Sequence, residues 1–318
     1  MDLKQLSYFV RVAELGSFTR ASVALGIAQP ALSRQIRLLE VELHQNLLTR
    51  NGRGALPTEA GNLLLKHGRG ILHQVELARE ELGSVRGALT GRVSIGLPPS
   101  LSRLITVPLS QAFKRRLPQA NLTLTEGFSV LMLEGLRVGN LDVAVVYNAE
   151  PSPDVELTPL HTDQLVLISK QTNGKKSDVE RQPINLAAIA KLPLILPSRP
   201  NAFRILIERE LRALGLVPRI ALEVDGLNAI LNLVKDGMGH AILPSYALSN
   251  VGDSVPFSVR SIAQPGITSQ LMLARAARRP STATQKIAAD LINSVLHAAV
   301  PLSARATKQV NKQGKISK

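Results

Sequence analysis

One stretch of the chain, residues 17–37, restricts the possible folds more than any other. It predicts two helices joined by a tight turn, with Ser17 as the N-cap of the first and Gly26 in the turn. The second helix has an apolar stripe formed by Leu32, Ile36, Leu39 and Leu43. Two helices joined by a glycine-containing turn are typical of a helix-turn-helix.

Another face of the second helix is polar and has no acidic residue. Its members follow the helical period, and they are Pro30, Ser33, Arg34 and Arg37. A hydroxyl and two cations on one face suit the edges and phosphates of a DNA duplex. We therefore predict that this helix enters DNA, while a solvated surface helix is the alternative interpretation.

A basic hairpin is predicted after this helix. Asn51-Gly52 and Arg53-Gly54 are turn signals between short apolar runs. A hairpin in this position is typical of the wing of a winged helix-turn-helix. Arg50 and Arg53 would then approach phosphates or the minor groove, whose negative potential attracts arginine. The alternative is a solvated hairpin tip.

A long helix is predicted from Glu59 to about Val85, with Thr58 as its cap. Its apolar seam alternates spacings of three and four residues and consists of Gly61, Leu64, Gly68, Ile71, Val75, Ala78, Leu82 and Val85. Such a heptad pattern predicts pairing of helices from two subunits. We assign the dimer contact to Leu64, Ile71, Val75, Ala78 and Leu82. The alternative is a helix packed on its own domain.

The chain changes character after residue 91, where strands and helices begin to alternate. This alternation predicts parallel sheets with covering helices, arranged as two α/β lobes. Lobe I is expected to comprise 92–161 and 267–302, with a last helix at 281–298, and lobe II 162–266. The remaining residues, 303–318, are basic and are expected to be disordered. The chain is thus an α/β multidomain protein.

Ligands of such lobes bind in the crevice at the carboxyl ends of the strands. The loops predicted to end there contain Ser100, Leu101, Ser102, Phe128, Ser129, Ser198, Arg199, Asn201 and Phe203. Hydroxyls and free N–H groups at helix N-termini suit an anion such as a carboxylate. The alternative is that each serine only caps its helix.

Composition excludes several classes of function. The chain has 318 residues, a net charge of +14 and no cysteine, so disulfides, thiolate zinc sites and cysteine nucleophiles are excluded. The histidines show no metal-ligand spacing, and neither a nucleophile elbow nor a P-loop occurs, so we predict no catalytic residue, metal or cofactor. The sequence has no membrane-spanning run or signal peptide, and a cytoplasmic location is expected. The charge favours a polyanionic partner, but residues 1–60 hold only seven Lys/Arg against five acids, so charge does not locate the DNA site.

A set of short runs recurs through about the first 61 residues and forms one recognisable pattern. The runs are Val12-Ala13-Glu14, Gly16-Ser17-Phe18-Thr19, Gln29-Pro30-Ala31-Leu32-Ser33, Gln35-Ile36, Leu39-Glu40, Leu47-Leu48, Arg53-Gly54 and Ala60-Gly61. This pattern resembles that of the LysR-type transcriptional regulators, and within them it looks most like the nitrogen-assimilation-control-type subgroup. Ser22 and Pro57 depart from frequent family residues, and neither lies on the predicted DNA face.

The resemblance implies a winged helix-turn-helix, a dimerising linker helix and a two-lobed effector domain like a periplasmic binding protein. It also implies homodimers assembled into homotetramers, partly palindromic double-stranded promoter sites, a small-molecule effector and RNA polymerase as a partner. Gln29, Pro30 and Ser33 would reach base edges, Arg34 a phosphate and Arg53 the minor groove. Two rival classes remain. One is an enzyme, and the other is a transport-type binding protein, which the lobes alone suggest.

Overall fold

The N-terminal part of the computed structural model is a small helical domain followed by a long helix. The structure describes residues 1–51, 54–84, 89–171, 182–249, 257–277 and 279–312. Two compact units make up the chain, Met1–Ala88 with Arg137–Asn140, and Leu89–Leu136 with Leu141–Lys318. The elements of the first unit are α1 (Leu3–Leu15), α2 (Phe18–Leu25), α3 (Gln29–Leu43), β1 (Leu48–Asn51), β2 (Gly54–Pro57) and α4 (Glu59–Ser84).

The ends of the first helices follow from local chemistry. Asp2 begins α1 with a capping box, in which its side chain accepts from the Gln5 N–H and the Gln5 side chain accepts from the Asp2 N–H. Ser17 caps α2, as predicted, by accepting from the Arg20 N–H at 3.3 Å. Gly26 ends α2 in the left-handed conformation, with φ of 64°. The predicted helix-turn-helix is confirmed.

The hairpin and the long helix are fixed by a few polar contacts. The antiparallel strands β1 and β2 pair Leu48 with Pro57 at one end. Thr58 donates its hydroxyl to the Asn46 carbonyl and accepts from the Gly61 N–H at 3.0 Å, which confirms it as the cap of α4. A Cβ on Gly61 would lie 2.0 Å from the Leu47 carbonyl oxygen, so only glycine allows α4 to start so close to the hairpin.

The second unit alternates strands and helices, as predicted. Its first part contains β3 (Gly91–Leu97), α5 (Pro99–Arg116), β4 (Ala120–Glu126), α6 (Ser129–Val138), β5 (Val143–Tyr147) and β6 (Val155–Lys170). It continues with α7 (Leu186–Lys191), β7 (Leu194–Leu196), α8 (Ala202–Ala213), β8 (Ile220–Glu223), α9 (Leu227–Asp236) and β9 (Ala241–Pro244). A 3₁₀ turn (Ser245–Leu248), β10 (Phe257–Ser261), β11 (Thr268–Ala276) and α10 (Ala283–Lys312) follow.

Strand β6 connects the two halves of this unit. β3 pairs in parallel with β4 and β5, while β11 returns antiparallel between β5 and β6. The first part of β6, up to Gln164, pairs with β11, and the part from Leu165 onward pairs with β9 and β10. One continuous strand therefore belongs to both halves, and polar residues at its middle lie between them.

Some elements differ from those predicted from sequence. Strand β6 begins at Val155, ten residues before its apolar part at 165–168, because β11 gives its early polar residues a hydrogen-bonded partner. Strand β10 and helix α7 were not predicted. The last helix runs to Lys312, past the predicted end at 298 and into the segment expected to be disordered.

Over the described residues, none of the helices has the length and apolar character that a membrane span requires.

Candidate DNA-binding face and ligand cleft

Helix α3 separates an apolar stripe from a polar face. Leu32, Ile36 and Leu39 are fully buried in the core of the N-terminal domain, as the helical period predicts. The exposed residues of the predicted DNA face are Gln29, Pro30, Arg34 and Arg37, and Ser33 is half-buried. The face is thus built on a rigid helix whose other side is anchored in the core.

The first turn of α3 is open to an anion. Ala28 stands at the N-cap position and supplies no side-chain hydrogen bond, and Pro30 lies within the first turn. The acids of α3 lie toward its other end. Glu40 accepts from the Leu47 N–H at 2.8 Å and the Leu48 N–H at 3.2 Å, which holds the hairpin against the helix. The start of the helix therefore combines N–H groups with the cations that follow them.

The hairpin is positioned by the turn before α2. The Ala55 N–H donates to the Gly16 carbonyl at 2.9 Å, and a Cβ on Gly54 would lie 2.4 Å from the same oxygen. Arg50 lies in β1 opposite Ala55, but its side chain is outside the described part of the chain, as is Arg53. The predicted roles of these two arginines stay predictions.

Helix α4 has two dissimilar parts. Gly68 contacts α1, since a Cβ there would lie 2.9 Å from Leu6, and Leu64 packs on the N-terminal core. The start of the predicted seam thus packs on its own domain, as the alternative interpretation had it. Further along, Ile71 is 39% exposed and Leu82 is 72% exposed. Val75 is half-buried and Ala78 is exposed.

A small cavity of about 40 Å³ lies between the two halves of the second unit. Five of the predicted effector residues line it, and they are Ser100, Phe128, Ser129, Asn201 and Phe203. The remaining lining residues are Pro98, Pro99, Tyr147, Pro197, Ala202, Leu227, Ile230 and Leu243. None of the lining residues carries a charge. Since a single water needs about 10–15 Å³, the cavity has room for about three waters.

Four predicted effector residues do not line this cavity. Leu101 is fully buried in the core, because it lies one position further around α5 than Ser100. The Ser102 hydroxyl pairs with the Thr106 hydroxyl at 3.0 Å. Ser198 bonds Asp225 through both its N–H and its hydroxyl, and Arg199 is exposed and pairs with Glu208. Their polar groups are thus engaged elsewhere.

A chain of buried hydroxyls runs from the cavity to a carboxyl group on β6. The Ser100 Oγ lies 2.8 Å from the Tyr147 Oη, which lies 2.7 Å from the Tyr246 Oη. The Tyr246 hydroxyl donates to the Asp163 Oδ2 at 2.6 Å, and the His161 Nε2 lies 3.2 Å from the Asp163 Oδ1. Because these residues come from α5, β5, the 3₁₀ turn and β6, the chain ties the two halves of the unit together.

The surroundings of this chain disfavour charge. Burial raises the pKa of Asp163, although the Tyr246 hydrogen bond and His161 act against it. Burial likewise raises the pKa of Tyr246 well above its ordinary value and that of Tyr147 above its ordinary value, so both phenols stay protonated. The Ser129 Oγ accepts from the Tyr147 N–H at 2.9 Å, and the Tyr147 ring lies 4.5 Å from that of Phe203.

Sequence reasoning missed the tyrosines and the aspartate. Tyr147 ends β5 and Tyr246 follows β9, so the rule that selected the serines, a residue just after a strand, also applied to them. Asp163 lies in mid-strand and has no comparable signal. Among the described residues no group of His, Asp or Glu is arranged to hold a metal ion.

A buried arginine stands beside the cleft. Arg204 is 5% exposed and donates to the Pro197 carbonyl at 3.2 Å, to Glu223 at 3.0 Å and to Glu208. Partial burial pushes the pKa of Glu208 up, but hydrogen bonds from Arg204 and Arg199 outweigh it and hold that pKa below its ordinary value. This cluster stabilises the start of α8.

Comparisons with known proteins agree with both units. Residues 3–62 match the family model for bacterial regulatory helix-turn-helix proteins of the lysR family, and residues 86–296 match that for the LysR substrate binding domain. The second model alone covers more than half of the chain. The chain belongs to the LysR family of transcriptional regulators. It is accordingly a DNA-binding regulator with an effector-binding domain and is not an enzyme.

Individual relatives cover nearly the whole chain. The nitrogen assimilation regulatory protein nac of Escherichia coli is 34% identical over 94% of this chain and 97% of its own length. The protein of the same name from Klebsiella aerogenes is 34% identical over 87% of this chain and 90% of its own. The LysR family regulator CbnR has the same fold, with a TM-score of 0.69 and 22% identity over 93% of this chain and 99% of CbnR.

Proposed function

We propose that this regulator binds partly palindromic promoter sites by inserting α3 into the major groove. The observation that carries the proposal is the exposed polar face of α3 set against a fully buried apolar stripe. A recognition helix needs this arrangement, because its position in the groove is only as fixed as its anchoring in the domain.

The residues of the face have distinct proposed roles. Gln29, Pro30 and Ser33, in the first turns of α3, reach base edges, and glutamine can bond adenine with two hydrogen bonds. Arg34 and Arg37 contact phosphates, as do the open N–H groups at the start of the helix. Arg50 and Arg53 of the wing contact phosphates or the minor groove.

The test is promoter binding by Arg34→Ala at several salt concentrations. Losing one phosphate contact should weaken binding to all sequences alike and reduce the slope of log affinity against log salt by about 0.9. Ser33→Ala should instead relax sequence preference at one base position, by about 1–3 kcal/mol. Arg116→Ala removes an exposed arginine at the end of α5 and is the charge-matched control. Unchanged affinity and slope in Arg34→Ala would contradict the proposal.

We also propose that the exposed part of the α4 seam pairs two subunits, with homodimers assembling into tetramers. Ile71, Ala78 and Leu82 follow a heptad spacing and are exposed, and a second copy of the same helix would cover them. The proposed contact also includes Leu64 and Val75. Leu64 already packs on the N-terminal core, so its share of the contact is smaller.

The oligomeric state of Ile71→Glu with Leu82→Glu tests this pairing. Two charges in a helix seam should convert dimers to monomers at micromolar concentration, as measured by analytical ultracentrifugation. Val217→Glu is the matched control, because Val217 is an 82% exposed apolar residue outside α4. A double variant as oligomeric as the control would refute the seam.

The cleft is the proposed site of a small-molecule effector. Its binding would shift the two halves of the effector domain between arrangements, and so change promoter binding, only if the ligand has different affinities for the two. We also propose that the regulator is cytoplasmic and interacts with RNA polymerase. The proposed domain limits are 1–58 for the DNA-binding domain, 59–88 for the linker helix, 92–302 for the effector domain and 303–318 for the tail. A metabolite that raises the melting temperature and alters the promoter footprint would identify the effector.

A further inference from the structure

The geometry points to a cleft that selects an uncharged ligand group able to donate a hydrogen bond, such as a hydroxyl, over a carboxylate or a ketone. This inference rests on the proposed function, in which the cleft binds an effector. Two observations carry it: the fixed direction of the hydrogen bonds that end at Ser100, and the lack of charge among the residues that line the cavity.

The direction of the hydrogen bonds between the hydroxyls is set at Asp163, where the chain of hydroxyls ends. The Asp163 Oδ2 accepts from the Tyr246 hydroxyl at 2.6 Å, so Tyr246 gives its one proton to Asp163. Tyr246 must then accept from Tyr147, which in turn gives up its only proton. Tyr147 must therefore accept from Ser100. Each hydroxyl donates toward Asp163, and no alternative direction satisfies all three contacts.

The consequence appears at the cavity, where the chain ends. Since the Ser100 proton is committed to Tyr147, the Ser100 oxygen presents only lone pairs to a ligand. Ser100 is 4% exposed, so a ligand that fills the cavity displaces the water that could donate to this oxygen. A ligand hydroxyl can donate to this oxygen, whereas a carboxylate or ketone oxygen would face it lone pair to lone pair.

The other residues that line the cavity also disfavour a negatively charged ligand group. Ser129 accepts from the Tyr147 N–H and keeps its own proton, and Asn201 accepts from the Phe203 N–H through its Oδ1 and keeps its amide N–H groups. The side-chain donors that remain on the wall are therefore all neutral. A carboxylate buried here would find no cation to pair with and would still face the lone pairs of Ser100. The lining contains neither lysine, arginine nor histidine, and its largest members are the aromatic rings of Phe128, Tyr147 and Phe203.

The size of the cavity determines the probes. An engineered cavity of about 150 Å³ holds benzene, so one of about 40 Å³ suits molecules with a few heavy atoms. Isopropanol and acetone have nearly the same shape, but only isopropanol can donate. Acetate adds a negative charge at similar size. Binding of these probes to the full chain can be measured by saturation-transfer NMR at about pH 8, where carboxylates are ionised.

We expect isopropanol to bind about tenfold more tightly than acetone, because it makes one more net hydrogen bond. Acetate should give no saturation transfer. Ser100→Ala should remove the preference. Tyr246→Phe should also remove or reverse it, because Tyr147 can then donate to Ser100 and release the Ser100 proton into the cavity. Tyr147→Phe tests the same step if Tyr246→Phe fails to fold. Ser102→Ala, two residues away and outside the lining, should behave as the unmodified chain.

Three results would overturn the inference: acetone or acetate binding as tightly as isopropanol, no binding of any probe, or a preference that survives Ser100→Ala. Failure of the broader proposal looks different. A carboxylate metabolite that occupies this cleft and alters promoter binding would refute the donor preference and leave the effector cleft intact. A promoter response that is unchanged when the cleft is mutated would refute the effector cleft itself.

Discussion

The arginines of α3 and the arginine near the start of α8 place the same guanidinium group in opposite surroundings. Arg34 and Arg37 are exposed on a face without acidic residues, and no ion pair of theirs occurs in the described part of the chain. Arg204 is buried and bonded to two carboxylates and a carbonyl. A cation is available to DNA when its own domain leaves it without a partner, and it holds the fold together when its domain supplies several.

The buried polar groups of the effector domain differ in the same way from the exposed arginines of α3. In the effector domain the Ser100, Tyr147 and Tyr246 hydroxyls bond each other and end on Asp163. These polar groups are buried, where an unmade hydrogen bond is costly, so they satisfy one another and leave only selected lone pairs for a ligand. Arg34 and Arg37 on α3 are exposed, so solvent satisfies them without such pairing.

Methionine substitution at the two kinds of arginine gives the largest expected contrast. Arg204→Met should destabilise the chain by about 3 kcal/mol, since it removes the partner of the Pro197 carbonyl and leaves Glu208 paired only with the exposed Arg199. Arg34→Met should change stability by less than about 0.5 kcal/mol while it weakens promoter binding. Denaturant unfolding followed by circular dichroism, together with promoter titrations, measures both.

The reverse pattern would break the comparison. If Arg204→Met has the same free energy of unfolding as the unmodified chain, the buried cluster does not stabilise α8. If Arg34→Met loses stability as well as promoter binding, then Arg34 supports the fold and its loss of binding is indirect.

The two regions also differ in how far the sequence predicts them. The α3 face was predicted residue by residue, because its signal is local: Leu32 and Ile36 lie four positions apart on the stripe, and Arg34 lies between them on another face. The cleft was predicted only in part. Ser100 and Ser129 follow strands and line the cavity, but Tyr246 and Asp163 meet across 83 residues of sequence, and no periodicity indicates such a pair.

The same limit explains the residues that were placed in the cleft but do not line it. Ser198 and Arg199 follow a strand, as the rule requires, yet Asp225 and Glu208 engage them. Which loop residues face a ligand depends on side chains that other segments bring nearby. A pattern within one segment can predict a loop's position at the strand end, but it cannot predict which of its side chains remain available.

Acidification should give the smallest effect and sharpen the comparison further. Because its pKa lies below the ordinary value, Glu208 contributes stability that is fully present above the unfolded-state pKa of about 4.5 and is lost as pH falls through the lower folded-state value. Glu208→Gln should therefore cost about 1–2 kcal/mol at neutral pH and flatten the loss of stability below about pH 4.5, as measured by melting temperature against pH. Glu210→Gln is the matched control, since the pair of Glu210 with Arg209 lies at the surface and contributes less than about 1 kcal/mol. If the melting temperature of Glu208→Gln depends on pH as that of the unmodified chain does, Arg199 and Arg204 stabilise the Glu208 carboxylate no more than solvent does. The contrast between the paired Arg204 and the exposed Arg34 would then have no energetic basis.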